Sequence, residues 1–249
     1  MWPYDLVFLV AGLSLLLMIW YFRGKRHSAL FAQLAPLLDA HPGEMRVAGP
    51  IRGGEDRMQG CYRGRDVLLA LKEPDRLHEA SRFRLLLGSA TTMPFLISVQ
   101  KRMLLGIVSQ IQRGRAVKTG EENLDRKFYV TELTALTGVG FFQKMFGGAK
   151  ASIDLDNHLQ KRLTRWLRLP ETLARFETLF NSCGVDYLAT RIEYPGTIEL
   201  PALMSGLTVV LRHYSKRQLR PENVGRILAE MDALLRSAES LLELAPGSS

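Results

Sequence analysis

Two cysteines in 249 residues, Cys61 and Cys183, are too few for a disulfide framework or a cysteine-built zinc cage. Their wide separation fits a reducing compartment. Histidine is equally sparse: His27, His41, His78, His158 and His213 are scattered, and no H-x-x-x-H, H-E-x-x-H or C-x-x-C occurs. Asp154 to His158 gathers acceptor side chains but lacks the glycine and distal glutamate of an EF-hand, so Asp154 or Asp156 reads better as a helix cap. No metal is expected, and no cofactor.

Phosphate-cradling loops are missing as well. Gly138-Val139-Gly140 lacks a third glycine, and Gly147-Gly148 stands near Lys150 without the P-loop spacing. The nucleophile elbow is absent too, since Leu87-Gly88-Ser89-Ala90 has no second glycine. There is no solenoid repeat and no low-complexity tract. With 47% hydrophobic and 23% charged residues, the chain is neither wholly disordered nor multispanning.

What the chain does have is one long apolar run at its start. Leu6 to Phe22 is 17 residues without a charge, flanked by Trp2, Tyr4, Trp20 and Tyr21. As a helix, Trp2 to Phe22 spans roughly 30 Å, one hydrocarbon core, and rings at both ends match the interfacial belts of spanning helices. Nothing basic precedes the run, unlike a cleaved signal peptide. Arg23, Lys25 and Arg26 follow it directly, against Asp5 before it. Positive-inside reasoning puts that basic flank in the cytoplasm and the N-terminus outside. A single-pass membrane protein is expected, with residues 1–26 as anchor and the bulk of the chain cytoplasmic.

Residues 27–43 read as a stalk helix in which Pro36 forces a kink or an early stop. The domain proper is expected over 44–244, and 245–249 as a disordered tail. Its first part, 44–131, is β-rich: Met45–Ile51, Arg57–Tyr62, Val67–Leu71, Arg82–Leu87, Phe95–Val99 and Phe128–Thr131 read as strands. Gly64 supplies the positive φ of a hairpin turn. Met103–Gln112 reads as strand or helix alike. Glu121, Glu122, Asp125, Arg126 and Lys127 read as a solvated, salt-bridged turn.

The second part, 152–244, is helix-rich. Leu155, Leu159, Leu163 and Trp166 mark one helix face and Lys161, Arg165 and Arg168 the opposite one. Pro170 opens a second helix, with Leu173, Phe176 and Phe180 inward and Gly184 as its cap. Val185–Tyr194 and Leu207–His213 resume strand character. Pro221 begins a last helix whose apolar stripe runs from Val224 to Leu242. The fold class is α+β: an N-terminal transmembrane helix, then a β-rich and a helix-rich part sharing one core.

Beyond residue 26 there remain 30 basic and 24 acidic residues, a net of +6. The positives gather at Lys101-Arg102, at Arg113, Arg115 and Lys118, on the Lys161/Arg165/Arg168 face, and from Arg212 to Arg220. Near an anionic leaflet each surface cation contributes about 1 kcal/mol of attraction, so the bilayer and its anionic lipids are expected partners. No nucleic-acid motif accompanies the charge, and nucleic acid is not expected. Phe141, Phe142, Met145 and Phe146 lie between glycines with only Gln143 and Lys144 polar. That segment reads either as a loop entering the bilayer or a partner groove, or as a loop folded over its own core.

Gly60-x-Tyr62-x-Gly64-Arg65, Thr119-Gly120, and Leu124-Asp125-Arg126-Lys127-Phe128-Tyr129-Val130 resemble, in that order, a pattern in uncharacterised bacterial single-span membrane-anchored proteins with an α+β cytoplasmic domain. The resemblance covers roughly residues 44 to 243. It implies a fold and a bacterial origin and carries over no catalytic residue. A ratio of 24 arginines to 9 lysines is compatible with a GC-rich bacterial genome. The functional expectation is a binding or assembly module without a catalytic site, engaging another membrane-associated protein. Contacts are expected through Lys161, Arg165 and Arg168 and the 141–146 segment. The rival is a membrane-bound enzyme acting on a lipid or envelope precursor, with Asp125, His158 or His213 as candidates.

Overall fold

The computed structural model describes residues 3–39, 45–46, 55–72, 81–91, 97–101, 115–117, 122–132, 161–191 and 205–243. Helix α1, Pro3–Leu34, is continuous but has two characters. Its large apolar side chains from Leu6 to Ile19, with Tyr21 and Phe22, are each more than half exposed, whereas Phe31 and Leu34 are fully buried. Among the described residues it is the one helix long and apolar enough to cross a membrane. Pro36, with no amide hydrogen to donate, sits in the 3-10 turn Ala35–Leu37 that closes it.

The strands are β1 Met45–Arg46, β2 Asp56–Tyr62, β3 Arg65–Lys72, β4 Arg82–Gly88, β5 Ile97–Lys101, β6 Arg115–Ala116, β7 Phe128–Glu132, β8 Tyr187–Arg191 and β9 Ser205–Arg212. They form one sheet in the order β1-β2-β3-β4-β9-β8-β5-β7-β6, antiparallel throughout. Among the described residues, seven longer strands lie between β1 and β6, of two residues each. β2 and β3 join through Arg63 and Gly64, both at positive φ (52° and 77°), which matches the twist of a two-residue hairpin.

The sheet draws its strands from both parts of the chain. β8 and β9 come from the helix-rich part, yet they stand at the centre, between β4 and β5. One row of apolar residues, Met58, Leu69, Leu85, Val209, Leu188, Val99 and Val130, crosses all seven long strands in register. Every member of the row is buried in a single core. A β-rich unit without β8 and β9 would therefore be broken in two.

Helices cover that row. α2 is Glu122–Lys127, α3 spans 161–167, α4 is Pro170–Glu177 and runs into a π turn at Thr178–Ser182, and α5 is Pro221–Glu243. The stretch expected as a solvated turn is α2, because Leu124 is fully buried there and gives its face an anchor. Trp166 packs edge-on against Phe176 at 5.8 Å, and Phe128 meets Phe176 and Phe180. Phe31 and Leu34 of α1 enter the same core as Val224, Ile227, Met231 and Leu235 of α5. Each such side chain contributes about 1.5–3 kcal/mol by leaving water. The last turns of α1 are thus part of the domain's core.

Candidate functional site

Two constellations fix how the apolar helix meets the domain. In its last turns α1 turns His27, Phe31 and Leu34 inward at helical spacing, and Leu38 follows beyond the 3-10 turn. His27 Nδ1 hydrogen-bonds Asp56 Oδ2 at the first residue of β2, and both groups are almost wholly buried. Eleven residues later Leu38 lies over Gly60, where an added Cβ would meet the leucine side chain. Asp39 then receives the Arg63 amide and pairs with Cys61.

From His27 at Asp56 to Leu38 over Gly60 the chain therefore advances from the start of β2 toward its end, and at Asp39 it meets Cys61 in an antiparallel bridge. The exposed apolar half of α1 extends back past Asp56. The sheet consequently has an anchor end and a far end. In register with Asp56, the anchor end carries Leu71, Phe83 and Leu211, and one residue further Lys72, Arg82 and Arg212. The far end carries Arg65, Gly88 and Gly206.

The far end is locked by charge. Arg65 makes two parallel bonds to Glu239 of α5, Nη1 to Oε1 at 2.8 Å and Nη2 to Oε2 at 2.6 Å, and its Nε reaches Asp232 at 2.9 Å. Asp232 is buried and also receives Arg63 and Arg236. Glu239 further accepts the Ser89 hydroxyl and the Ala90 amide. Burial pulls both carboxyls upward. For Asp232 the bonds from Arg236 and Arg65, and for Glu239 those from Arg65 and Ser89, outweigh burial and hold each below the ordinary carboxylate range. These groups act as a structural clamp between the β2–β3 hairpin and α5.

The anchor end is different in kind. Past Arg212 the chain turns at His213, whose φ is +51°, and the His213 amide donates to Ser81 O at 3.0 Å. Tyr214 stacks edge-on against Phe83, with ring centres 6.5 Å apart. Ser215 N donates to Gln218 Oε1, and Gln218 Nε2 donates to Gly184 O. Lys216 and Arg217 stand exposed on this pinned turn.

Residues singled out from sequence fall apart in space. Lys161, Arg165 and Arg168 are exposed on α3, as their spacing implies, while Leu163, Trp166 and Leu167 are buried. Trp166 Nε1 donates to Ser237 at 2.9 Å, which seats α3 beside the far half of α5. Lys25, Arg26 and Tyr21 are exposed on α1. The contact calls on Phe141, Phe142, Met145 and Phe146, the candidate His158, and Trp2 lie outside the described residues, as do the side chains of Trp20 and Arg23. Asp125, half-buried on α2, and His213, exposed past β9, are separated by β8, β5 and β7 and do not converge. Cys61 is half-buried and Cys183 buried, and both are free. Burial pushes the Cys183 thiol up, so it stays protonated. Among the described residues no three His, Cys, Asp or Glu side chains are grouped to hold a metal ion.

Sequence reasoning missed His27, Asp56, Arg65, Asp232 and Glu239. A signal existed for some: His27 lies on the Phe31/Leu34 stripe, and Asp232 interrupts the apolar stripe of α5. Comparison with protein-family models, with curated proteins and with solved structures finds no match to this chain.

Proposed function

We propose that this chain is a membrane-anchored binding or assembly module. In this reading α1 crosses a bacterial inner membrane once, with its N-terminus outside, and holds the α+β domain at the cytoplasmic surface. One observation carries it: a single helix is exposed and apolar over Leu6–Ile19 with Tyr21 and Phe22, then buries one face, His27, Phe31 and Leu34, in the domain. A helix of that kind transmits position from the bilayer to the domain with no slack linker between them. The basic flank of Lys25 and Arg26 supports the orientation. The exposed Lys161/Arg165/Arg168 face, carried by α3 and the turn after it beside the far half of α5, is the surface offered to another membrane-associated protein.

Three measurements test this. Alkaline carbonate should leave the protein in the membrane pellet, and protease added to sealed inverted vesicles should digest the domain. Affinity capture from nuclease-treated native membranes should then yield a stoichiometric partner that survives raised salt, and K161E/R165E should lose it. Release by carbonate would remove the anchor, and capture of lipid alone would remove the assembly role.

A further inference from the structure

We infer that the anchor end of the sheet is a contact surface for anionic lipid, formed by Arg82, Arg212, Lys216 and Arg217, which seats the domain on the membrane that its own helix enters. The inference rests on the anchoring reading above and adds the lipid chemistry and the residues that meet it.

Position is the first argument. His27 lies five residues beyond Phe22, about 8 Å along the helix axis, and its partner Asp56 stands at the end of the sheet where these cations gather. This end of the sheet therefore begins, along the helix axis, about one Debye length from the edge of the apolar segment, a range over which a headgroup's charge is felt in physiological salt. Lys25 and Arg26, exposed on α1 just before His27, continue the same positive zone toward the bilayer.

Charge is the second. Arg82 and Arg212 are directly paired across β4 and β9, so two like charges share one register position. Such a pair repels and costs stability unless an anion lies over it. Among the described residues Arg82, Arg212, Lys216 and Arg217 make no ion pair, and each described carboxylate at this end has a partner of its own. Glu55 holds Arg84 at 2.9 Å, Asp56 holds His27, and Asp186 takes the Arg212 amide. Asp186 is exposed and keeps its charge beside Arg212, so these four cations outnumber it.

Preorganisation is the third. The turn that carries Lys216 and Arg217 is pinned by Tyr214 on Phe83, by Gln218 on Ser215 and Gly184, and by the His213–Ser81 bond. A non-glycine residue at positive φ, His213, is held there by those contacts. Little ordering entropy then remains to be lost on meeting a surface, which favours binding. The Lys161/Arg165/Arg168 face has no such placement, since α3 sits by the far half of α5.

The test uses the full chain in nanodiscs of phosphatidylcholine alone or mixed with phosphatidylglycerol, read by amide hydrogen exchange. Amides of 213–220 should exchange about fivefold more slowly on the anionic discs, and raised salt should erase the difference. R82Q/R212Q/K216Q/R217Q should erase it at low salt, while K161Q/R165Q should keep it. Because the wild-type salt arm needs no variant, misfolding of the fourfold variant leaves the inference open to refutation. Equal exchange on both discs would overturn it, and so would protection on neutral discs that appears only when a duplex oligonucleotide is added. If carbonate extraction retains the protein while exchange is equal on both discs, only this inference fails and the anchored module stands.

Discussion

Arg65 on β3 grips Glu239, 174 residues later on α5, through two parallel bonds of 2.8 and 2.6 Å, and spends its remaining Nε on buried Asp232. The planar fork of arginine makes that threefold engagement geometrically natural, and lysine lacks it. Arg65→Ala should therefore cost about 3 kcal/mol, since it strands carboxylates in partly buried positions. Arg65→Lys should still cost about 1–2 kcal/mol. Urea unfolding of the full chain in detergent micelles reads both. A lysine variant as stable as the parent would show that charge alone, not fork geometry, holds the hairpin to α5.

The same clamp sets acid sensitivity. Asp232 and Glu239 are held below their ordinary range in the folded chain. The unfolded chain therefore takes up protons first as the medium is acidified. Their contribution is complete above the unfolded carboxylate range, about 3.9 for Asp and 4.3 for Glu, and is lost as pH falls from there through the lower folded values. Stability should be level from neutrality to about pH 5 and then decline. In D232N/E239Q it should start lower and decline less steeply. A variant with the parent's acid slope would place the acid sensitivity in other carboxylates.

Backbone contact between β4 and β9 gives a sharper steric prediction. Gly206 faces Gly88 across the strands, and a Cβ there would sit 2.2 Å from Leu87 O and 3.0 Å from Gly88 Cα. Backbone cannot swing aside as a side chain can, so Gly206→Ala should cost more than about 2 kcal/mol. Gly12→Ala is the contrast, with nothing within 4 Å of its added Cβ, and should leave the midpoint unchanged or slightly raised, as helix propensity favours alanine. Thermal unfolding of both would settle it, and equal midpoints would mean that the strands part at Gly206 without penalty.

These contacts mark the boundary of what the sequence makes legible. The apolar helix, most long strands and α5 follow from composition and periodicity, because burial writes a repeat of its own period into the chain. Gly64 in its hairpin follows from turn chemistry. The central place of β8 and β9 does not follow, since nothing in a strand's own residues names its neighbour and their partners lie some hundred residues earlier in the chain. Clamps built from single distant residues, such as Arg65 with Glu239, leave no local pattern. His27 and Asp232 were nearer to legible, each a polar residue on an apolar stripe, where a buried partner is the usual reason. The Lys161/Arg165/Arg168 face was read correctly as exposed from its spacing, but its position relative to the anchor required the fold.

His27 with Asp56 is the buried polar joint between α1 and the sheet. Asp56→Ala removes one side of a buried pair and should cost about 3 kcal/mol, while His27→Leu/Asp56→Val, which replaces both sides by apolar groups, should cost less than the two single changes added together. The informative readout is local. Amides of 28–34 in α1 should exchange faster in Asp56→Ala, because the turns holding Phe31 and Leu34 against the core lose their lateral tie, while amides of β9 at the sheet's centre should change little. If α1 and β9 loosen equally, the pair supports the whole fold and α1 is not separately hinged on it. If neither changes, Phe31, Leu34 and Leu38 hold the helix by apolar burial alone, and the polar joint sets only its register along β2.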